Sequence, residues 1–346
     1  MSKTKEKNVS IKDVAKEASV SITTVSRILN NINYPVSNEA RTRVEKAIKN
    51  LGYIPNKAAQ NLRKNETRTI GLIVRDIGDP YFSEMAKGVT EKAAQLNYMA
   101  MVSDSNRNMD YELKYLDLMI RQGVKGIIIS GGGIMEEEYQ SELQKRVQDA
   151  RRLGIKVVAL SSQGIDLPLV TVDNIQIGKT VCNFFILNNY KKIAFIGGNE
   201  KVTTNYERLL GYKIALKEKG MEIDENLIIN GQFTWEAGYE TCKILFDRKR
   251  EIDSIFCAND NIAIGVIRFL RENKIKIPNE VSLIGVGDIP IAQYTSPSLT
   301  TVKIPFNLIG NRAVELICSD ENIEDSSIYF KTQLIVRESI KIPKIS

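Results

Sequence analysis

Beyond Thr69 the apolar residues keep switching period, and they do so in two consecutive series. "TIGLIVR", starting at Thr69, is a continuous apolar run of the kind that forms a strand buried on both faces. A helical period follows over 81–96, then "YMAMVS", a helical period over 110–122, "VKGIIIS", another over 136–153, and "IKVVAL". Strands alternating with helices predict a parallel sheet covered on both sides. The pattern then restarts. Helical periods over 174–189, 205–219, 235–246 and 261–272 alternate with "KKIAFIGG", "NLIIN", "IDSIFCA" and "VSLIGV". Two α/β units in series predict two lobes, with a cleft at the carboxyl ends of their strands.

Composition limits what such a cleft can do. The chain has 346 residues, more than one ordinary domain needs. With 43% hydrophobic and 26% charged residues it reads as soluble and globular. No apolar run is long enough for a membrane span. The opening "MSKTKEKNVS" leads into no apolar signal segment, so we expect a cytoplasmic protein. There is no histidine, which excludes Ser-His-Asp and Cys-His catalysis and every histidine metal site. Cys182, Cys242, Cys257 and Cys318 are scattered without CxxC spacing. Reduced, mostly buried thiols are the expectation, with disulfide pairing left open. Asp260 and Asp288 follow strands and can face the cleft, but two acids without a base or metal ligands assign no catalytic residue. The glycine runs "SGGGIME" and "FIGGNE" fit neither GxGxxG opening a helix nor GxxxxGK[ST]. They read as strand-to-helix connections on the cleft rim, and we expect no cofactor and no metal.

The first fifth of the chain is different. Residues 1–65 hold thirteen Lys and Arg against five Asp and Glu, an excess of eight. The total is +6, so the remainder is near −2. A basic head on a near-neutral body suggests a polyanionic partner for the head, or else a solvated basic tail. Ser10 can cap a helix whose Ile11, Val14, Ala15 and Ala18 form one apolar stripe. Ser21 can cap a second helix with Val25, Ile28 and Leu29 facing a core, and a third runs from Ser37 to a stop at Gly52. The first two make a helix-turn-helix pattern. The second helix opens on Ser21, Thr23, Thr24 and Ser26, followed by Arg27. Short hydroxyl side chains allow close approach to a groove, and an arginine reaches guanine. The polar face of an ordinary three-helix bundle would read similarly.

These motifs together, "IKDVAKEASVSITTVSRILN", "VSNEARTRVEKAIKNLGYIPN" and "TRTIGLIVRDIGDPYFSEMAKGV", resemble the LacI/GalR family of transcriptional regulators. "ERLLGYKIAL", "IFCANDNIAIG" and "IPNEVSLIGVGDIPIAQYTSPSLTTVKIP" continue the resemblance in the family's order over nearly the whole chain. One departure is Ser19, where the family usually has a turn glycine. The fold class implied is a small all-α helix-turn-helix domain plus an α/β two-lobed periplasmic-binding-protein-like domain with parallel sheets. The domains would be 1–55 for DNA binding, 56–68 for a hinge helix and linker, and 69–346 for effector binding and dimerisation. Within the last, the lobes would be about 69–164 with 297–325 and about 165–296 with 326–346, the chain crossing near Gly164, Pro297 and Ser326, each to within several residues.

The resemblance also assigns residues. Ile22, Thr23 and Arg27 would read bases, while Ser21, Thr24, Ser26 and Asn30 would contact phosphates or cap. "NKAAQNLRK", residues 56–64, matches the hinge helix, with small Ala59, the minor-groove wedge Leu62, and Arg63 for phosphates. So short a helix is marginal alone, which suits folding only when paired on DNA. In the cleft, Tyr81 and Phe82 match an effector-lining segment, though aromatic residues there also suit a core. Arg208 matches the effector arginine, Phe233 and Asn259 align with cleft positions, and Thr204, Asn205 and Trp235 lie close by. In "GVGDIP", Gly287 replaces a frequent acidic effector ligand, leaving Asp288 beside it and implying either room for a larger ligand such as a disaccharide or recognition through other groups. The function implied is a repressor of carbohydrate-utilisation genes, acting as a homodimer on a palindromic double-stranded DNA operator under a small-molecule effector, a sugar above all. No heptad pattern follows "RESIKIPKIS", so no tetramerisation coil is expected. A protein coregulator in place of the effector, or a solute-binding protein sharing the body fold, are the other readings.

Overall fold

A computed structural model describes residues 9–29, 36–53, 67–248, 251–323 and 326–341. Contacts divide the chain into two units, Met1–Glu66 and Thr67–Ser346.

The first unit is helical over its described residues: α1 (Ile11–Glu17), α2 (Ile22–Leu29) and α3 (Asn38–Leu51). Each start is set by local hydrogen bonding. The Asp13 carboxylate accepts from the Ser10 amide at 2.8 Å and its hydroxyl at 2.6 Å. The Ser21 hydroxyl accepts from the Thr24 amide at 3.1 Å, and that of Ser37 from the Ala40 amide at 3.3 Å. Gly52 ends α3 in the left-handed conformation, with φ +60°. The small core holds Val14, Ala15, Ala18, Val25, Ile28, Val44 and Ala47.

The turn between α1 and α2 passes through Ser19 at φ +52°. A side chain there meets its own backbone, at a cost of about 1–2 kcal/mol that glycine avoids. Ser19→Gly is therefore expected to stabilise the first unit by about 1 kcal/mol, after allowing for glycine's freer unfolded state. Calorimetry on the full chain should show its transition raised by roughly 4–8 °C, with the second unit's transition unmoved.

The second unit has two sheets. The first lobe begins with β1 (Thr69–Val74), α4 (Pro80–Gln95), β2 (Met99–Asp104), α5 (Met109–Arg121), β3 (Gly126–Ile129), α6 (Glu137–Arg152), β4 (Lys156–Ala159) and β5 (Leu169–Val172). The second lobe holds α7 (Asn174–Leu187), β6 (Ile193–Gly197), α8 (Thr203–Glu218), β7 (Ile228–Asn230), α9 (Trp235–Asp247), β8 (Ser254–Cys257), α10 (Asp260–Glu272), β9 (Ser282–Gly287) and β10 (Thr300–Lys303). The chain then returns with α11 (Phe306–Cys318) and β11 (Ser327–Phe330), and finishes with β12 (Gln333–Ile335).

The strand orders are β2-β1-β3-β4-β5-β11 and β7-β6-β8-β9-β10-β12. All pairings are parallel except β10 with β12. In each sheet the order reverses beside the lobe's first strand, β1 or β6, which is the switch point where α/β proteins bind ligands. The strands that crossovers must cover are buried apolar runs, such as Ile70, Leu72 and Val74 or Ile193, Phe195 and Ile196.

The lobe boundaries differ from the sequence expectation. Strand β5 pairs with β4, so the first crossing is at Asp173, not near Gly164. Strand β10 pairs with β9 in the second sheet, moving the second crossing from Pro297 to 304–305. Strand β11 pairs with β5, moving the third from Ser326 to 331–332. Each shift has one cause: a short strand stays with its sheet before the chain leaves.

Candidate ligand-binding cleft

The two switch points face a common cleft of about 110 Å³ for the centre of a water molecule. From the first lobe come Arg75, Asp79, Tyr81, Phe82 and Arg107, with Gly131, Gly132 and Ile134 of the glycine run. From the second come Asn199, Val202, Thr204, Arg208, Gln232, Phe233 and Asn259. Ends of parallel strands collect polar groups in this way because the loops that leave them must satisfy their own backbone.

Of the expected residues that line the cleft, Arg208 is the most buried, at 3% exposed. It lies on α8, which packs closely on α7: a Cβ on Gly178 would sit 2.2 Å from the Arg208 carbonyl oxygen. That close approach lets Arg208 Nε donate to Asn174 Oδ1 at 3.0 Å, while Nη1 donates to the Ala258 carbonyl at 2.5 Å. Burial pulls its pKa down, opposed by the charges of Tyr81, Glu207 and Asp260. Tyr81 stands just after Pro80 at the start of α4, where the Asp79 carboxylate caps by accepting from the Tyr81 amide at 3.0 Å. Burial pushes its phenol up, opposed by Arg208 and by a hydrogen bond with Ser161. Its ring meets Phe82 and Phe306 edge-on, both at 5.1 Å. Phe233 lies over Gly198, where a Cβ would be 2.4 Å from the ring. Asn259 caps α10 by accepting from the Ile262 amide at 2.9 Å, and its amide donates to the Phe233 carbonyl at 3.3 Å.

Three expected residues lie outside this lining. Asn205 is buried, accepting from the Gly198 amide at 2.8 Å and donating to Asn230 at 3.1 Å, so it ties β6 to β7. Trp235 is 53% exposed on the first turn of α9 and donates to Glu236. Asp288, at φ +57°, pairs with Arg337 at 2.6 Å. The larger-pocket expectation for Gly287 is corrected as well. A Cβ there would lie 3.1 Å from Asp260 Oδ2, so the space is filled by a carboxylate that an acidic residue would repel.

Arg75, Asp79 and Arg107 were not expected from the sequence. Arg107 donates to Asp76 at 3.1 Å and to Asp79 at 3.0 Å. Arg75 contacts Glu112 at 3.4 Å, and Glu112 in turn accepts from Tyr139. Their partners stand about thirty residues away, so only the fold brings these charges together.

One flank of the cleft is closed by the lobes themselves. Ile134 and Val202 form an antiparallel bridge, with the Met135 amide donating to the Lys201 carbonyl at 2.8 Å and that of Thr203 to the Gly133 carbonyl at 2.9 Å. The glycine run thus serves backbone pairing between lobes. A Cβ on Gly132 would lie 2.8 Å from Thr204 Oγ1.

In the first unit, Ser21, Ile22 and Thr23 are exposed at the start of α2, and Thr24, Ser26 and Arg27 are half-buried. Val25 and Ile28 point into the core. Ile22, 44% exposed, gives this polar face one apolar contact point. Asn30, Ala59, Leu62 and Arg63 lie outside the described residues, as does the whole hinge segment 56–64. No described helix is long and apolar enough to cross a membrane, and no group of acidic and cysteine side chains that could hold a metal occurs among the described residues. The four cysteines are free, and Cys182, Cys242 and Cys257 are buried.

Comparison with known proteins fits this architecture. The sequence profile of bacterial regulatory proteins of the lacI family matches residues 10–56. That of periplasmic binding proteins and the sugar-binding domain of the LacI family matches 67–335. The HTH-type transcriptional repressor CytR of Escherichia coli (strain K12) is 32% identical over 343 residues, 98% of each chain. Catabolite control protein A of Priestia megaterium is 32% identical over 340 residues, covering 96% of this chain and 100% of that one. Among solved structures, a CelR–cellobiose complex superposes with TM-score 0.70 at 27% identity, over 96% of this chain and 99% of that one. The Lac repressor dimer bound to operator and an anti-inducer has the same fold, with TM-score 0.86 at 21% identity over the same shares. The chain belongs to the LacI family: a helix-turn-helix DNA-binding unit joined to a two-lobed sensor of periplasmic-binding-protein type.

Asp260 supplies a test of the interior beside the cleft. It accepts from Thr301 Oγ1 at 2.5 Å and from the Ile289 amide at 3.0 Å, and burial pushes its carboxyl up to about 6 from 3.8. A folded pKa above the unfolded one means that its contribution to stability is full below pH 3.8 and is lost as pH rises through about 6. Between pH 5 and 7 the wild type should lose about 1 kcal/mol more stability than Asp260→Asn. Urea unfolding of both proteins at the two pH values checks this.

Proposed function

We propose that the protein is a cytoplasmic transcriptional repressor that binds a palindromic operator as a homodimer and is controlled by a sugar or sugar derivative in the interlobe cleft. The observation that carries this reading is the cleft itself. Aromatic faces from the first lobe, Tyr81 and Phe82, stand opposite the buried guanidinium of Arg208 and the ring of Phe233 from the second. Aromatic faces suit the apolar side of a sugar ring, and a guanidinium suits its hydroxyls or an acidic substituent. A ligand touching both lobes stabilises one interlobe angle over others, and this is how occupancy becomes shape.

The head completes the switch. Thr23 and Arg27, with Ile22, read base edges, while Ser21, Thr24, Ser26 and Asn30 position the helix on phosphates. Two heads on one dimer read two half-sites. The segment 56–64 acts as a hinge that orders on operator, with Leu62 wedged in the minor groove, Ala59 allowing close approach and Arg63 on phosphate. A coupling of about 1–3 kcal/mol would change operator occupancy roughly 5- to 150-fold.

Two measurements test the reading. In a thermal-shift screen of sugars, sugar phosphates, sugar acids and nucleobases, at least one compound should raise the second unit's transition, and Arg208→Ala should abolish that shift. No shift with any compound contradicts the cleft assignment. On an operator selected from randomised DNA, Arg27→Ala should lose about 1–3 kcal/mol and relax preference at one base pair of each half-site. Equal weakening on all sequences would make Arg27 a phosphate contact.

A further inference from the structure

The charges around the cleft are unevenly satisfied. Arg107 is paired at close range with two carboxylates, Asp76 and Asp79. Arg208 is different: its two bonds go to neutral acceptors, the Asn174 side chain and the Ala258 carbonyl. Asp260 and Glu207 act on it only through their fields, and among the described residues no carboxylate oxygen lies within 4.0 Å of it.

Arg75 is the second case. It follows β1 at the switch point and is 7% exposed. One amino group reaches Glu112 at 3.4 Å, a long contact to a carboxylate oxygen that also accepts from Tyr139. Its Nε has no hydrogen-bond partner among the described residues. A buried guanidinium edge with an unmet N–H is costly unless something accepts from it. The surroundings are shaped for that edge: a Cβ on Gly131, at φ +104°, would lie 2.9 Å from the Phe82 ring, 3.0 Å from Arg75 Cδ and 3.2 Å from its Nε. The only carboxylate in the lining, Asp79, is already held by Arg107 and by its own helix.

Resting on the sugar-derivative reading above, we propose that the effector is anionic, a sugar carrying a phosphate or carboxylate group, with Arg75 Nε as the donor reserved for that group. Phosphate and carboxylate share the paired acceptor oxygens that a guanidinium edge binds. Arg208, unopposed at close range, adds to the field that favours a negative ligand, and Tyr81 and Phe82 carry the ring.

The test is calorimetric titration of the full-length dimer with matched sets: glucose, galactose, fructose and ribose, their monophosphates, the corresponding uronic acids, and inorganic phosphate. At least one monophosphate or uronic acid should bind about tenfold or more tighter than its parent sugar, weakening as salt rises. The phosphate and uronate arms decide which anion it is. Arg75→Lys, which keeps the charge but loses the planar edge, should remove most of that preference. Arg75→Met paired with Glu112→Gln, which leaves no buried charge unpartnered, should bring anion and parent sugar to parity while the protein still melts cooperatively. Parent sugars binding as tightly as every anion would overturn the proposal, as would binding by none of the anions, or an anion preference unchanged in both variants. Sequence-selective operator binding by the unliganded or sugar-bound wild type, scored by gel shift, is the separate readout. If it persists while the anion preference is absent, only the anion assignment falls; if it is absent throughout, the regulator reading falls.

Discussion

Two sheets built from one chain can share a ligand only if their carboxyl ends face each other, and three crossings hold them so. Those at 173, 304–305 and 331–332 are the covalent links between lobes. Any change in the angle between the sheets must be absorbed there. Each lobe is otherwise a sheet flanked by closely packed helices, α4 against α11 in the first and α7 against α8 in the second. Such packing resists deformation, so the softer responses are rotation at the crossings and rupture of the Ile134–Val202 bridge.

The same geometry explains why the cleft carries charge at all. Strands buried on both faces must be apolar, and polar groups collect at their ends. Arg75, Asp79 and Asp104 follow or end strands of the first sheet, and Asn259 and Asp260 follow β8 of the second. Most of these groups are consumed by structure: Asp79 and Asn259 cap helices, and Asp260 holds the loop after β9. What remains for a ligand is therefore a small set defined by what the fold leaves unused.

The periods of the sequence carried the α/β architecture and both switch-point strands, because a strand buried on both faces is unmistakably apolar. Helix starts at Ser10, Ser21 and Ser37 were legible for a local reason, since caps act within three residues. The strands "LVTV", "TTVK" and "SIYF" were not, being four residues long and, in β11, partly exposed. Missing them placed each lobe crossing several residues too early. Six of the nine expected cleft residues line the cavity, and four of these, Tyr81, Phe82, Arg208 and Asn259, sit within the quoted motifs. Asp288 does not line it, because its partner Arg337 is forty-nine positions away and its φ turns it aside. Arg75 was invisible for the opposite reason: a charge ending an apolar run reads as solvent-facing until Gly131 and Phe82 are folded over it.

The central claim is that cleft and operator are coupled sites on one molecule, and coupling must be reciprocal. The most direct measurement is the dissociation constant of the cleft ligand with and without saturating operator DNA, set beside that of operator with and without saturating ligand. The account predicts one factor, about 5- to 150-fold, from both directions. A ligand affinity unchanged by operator would contradict it.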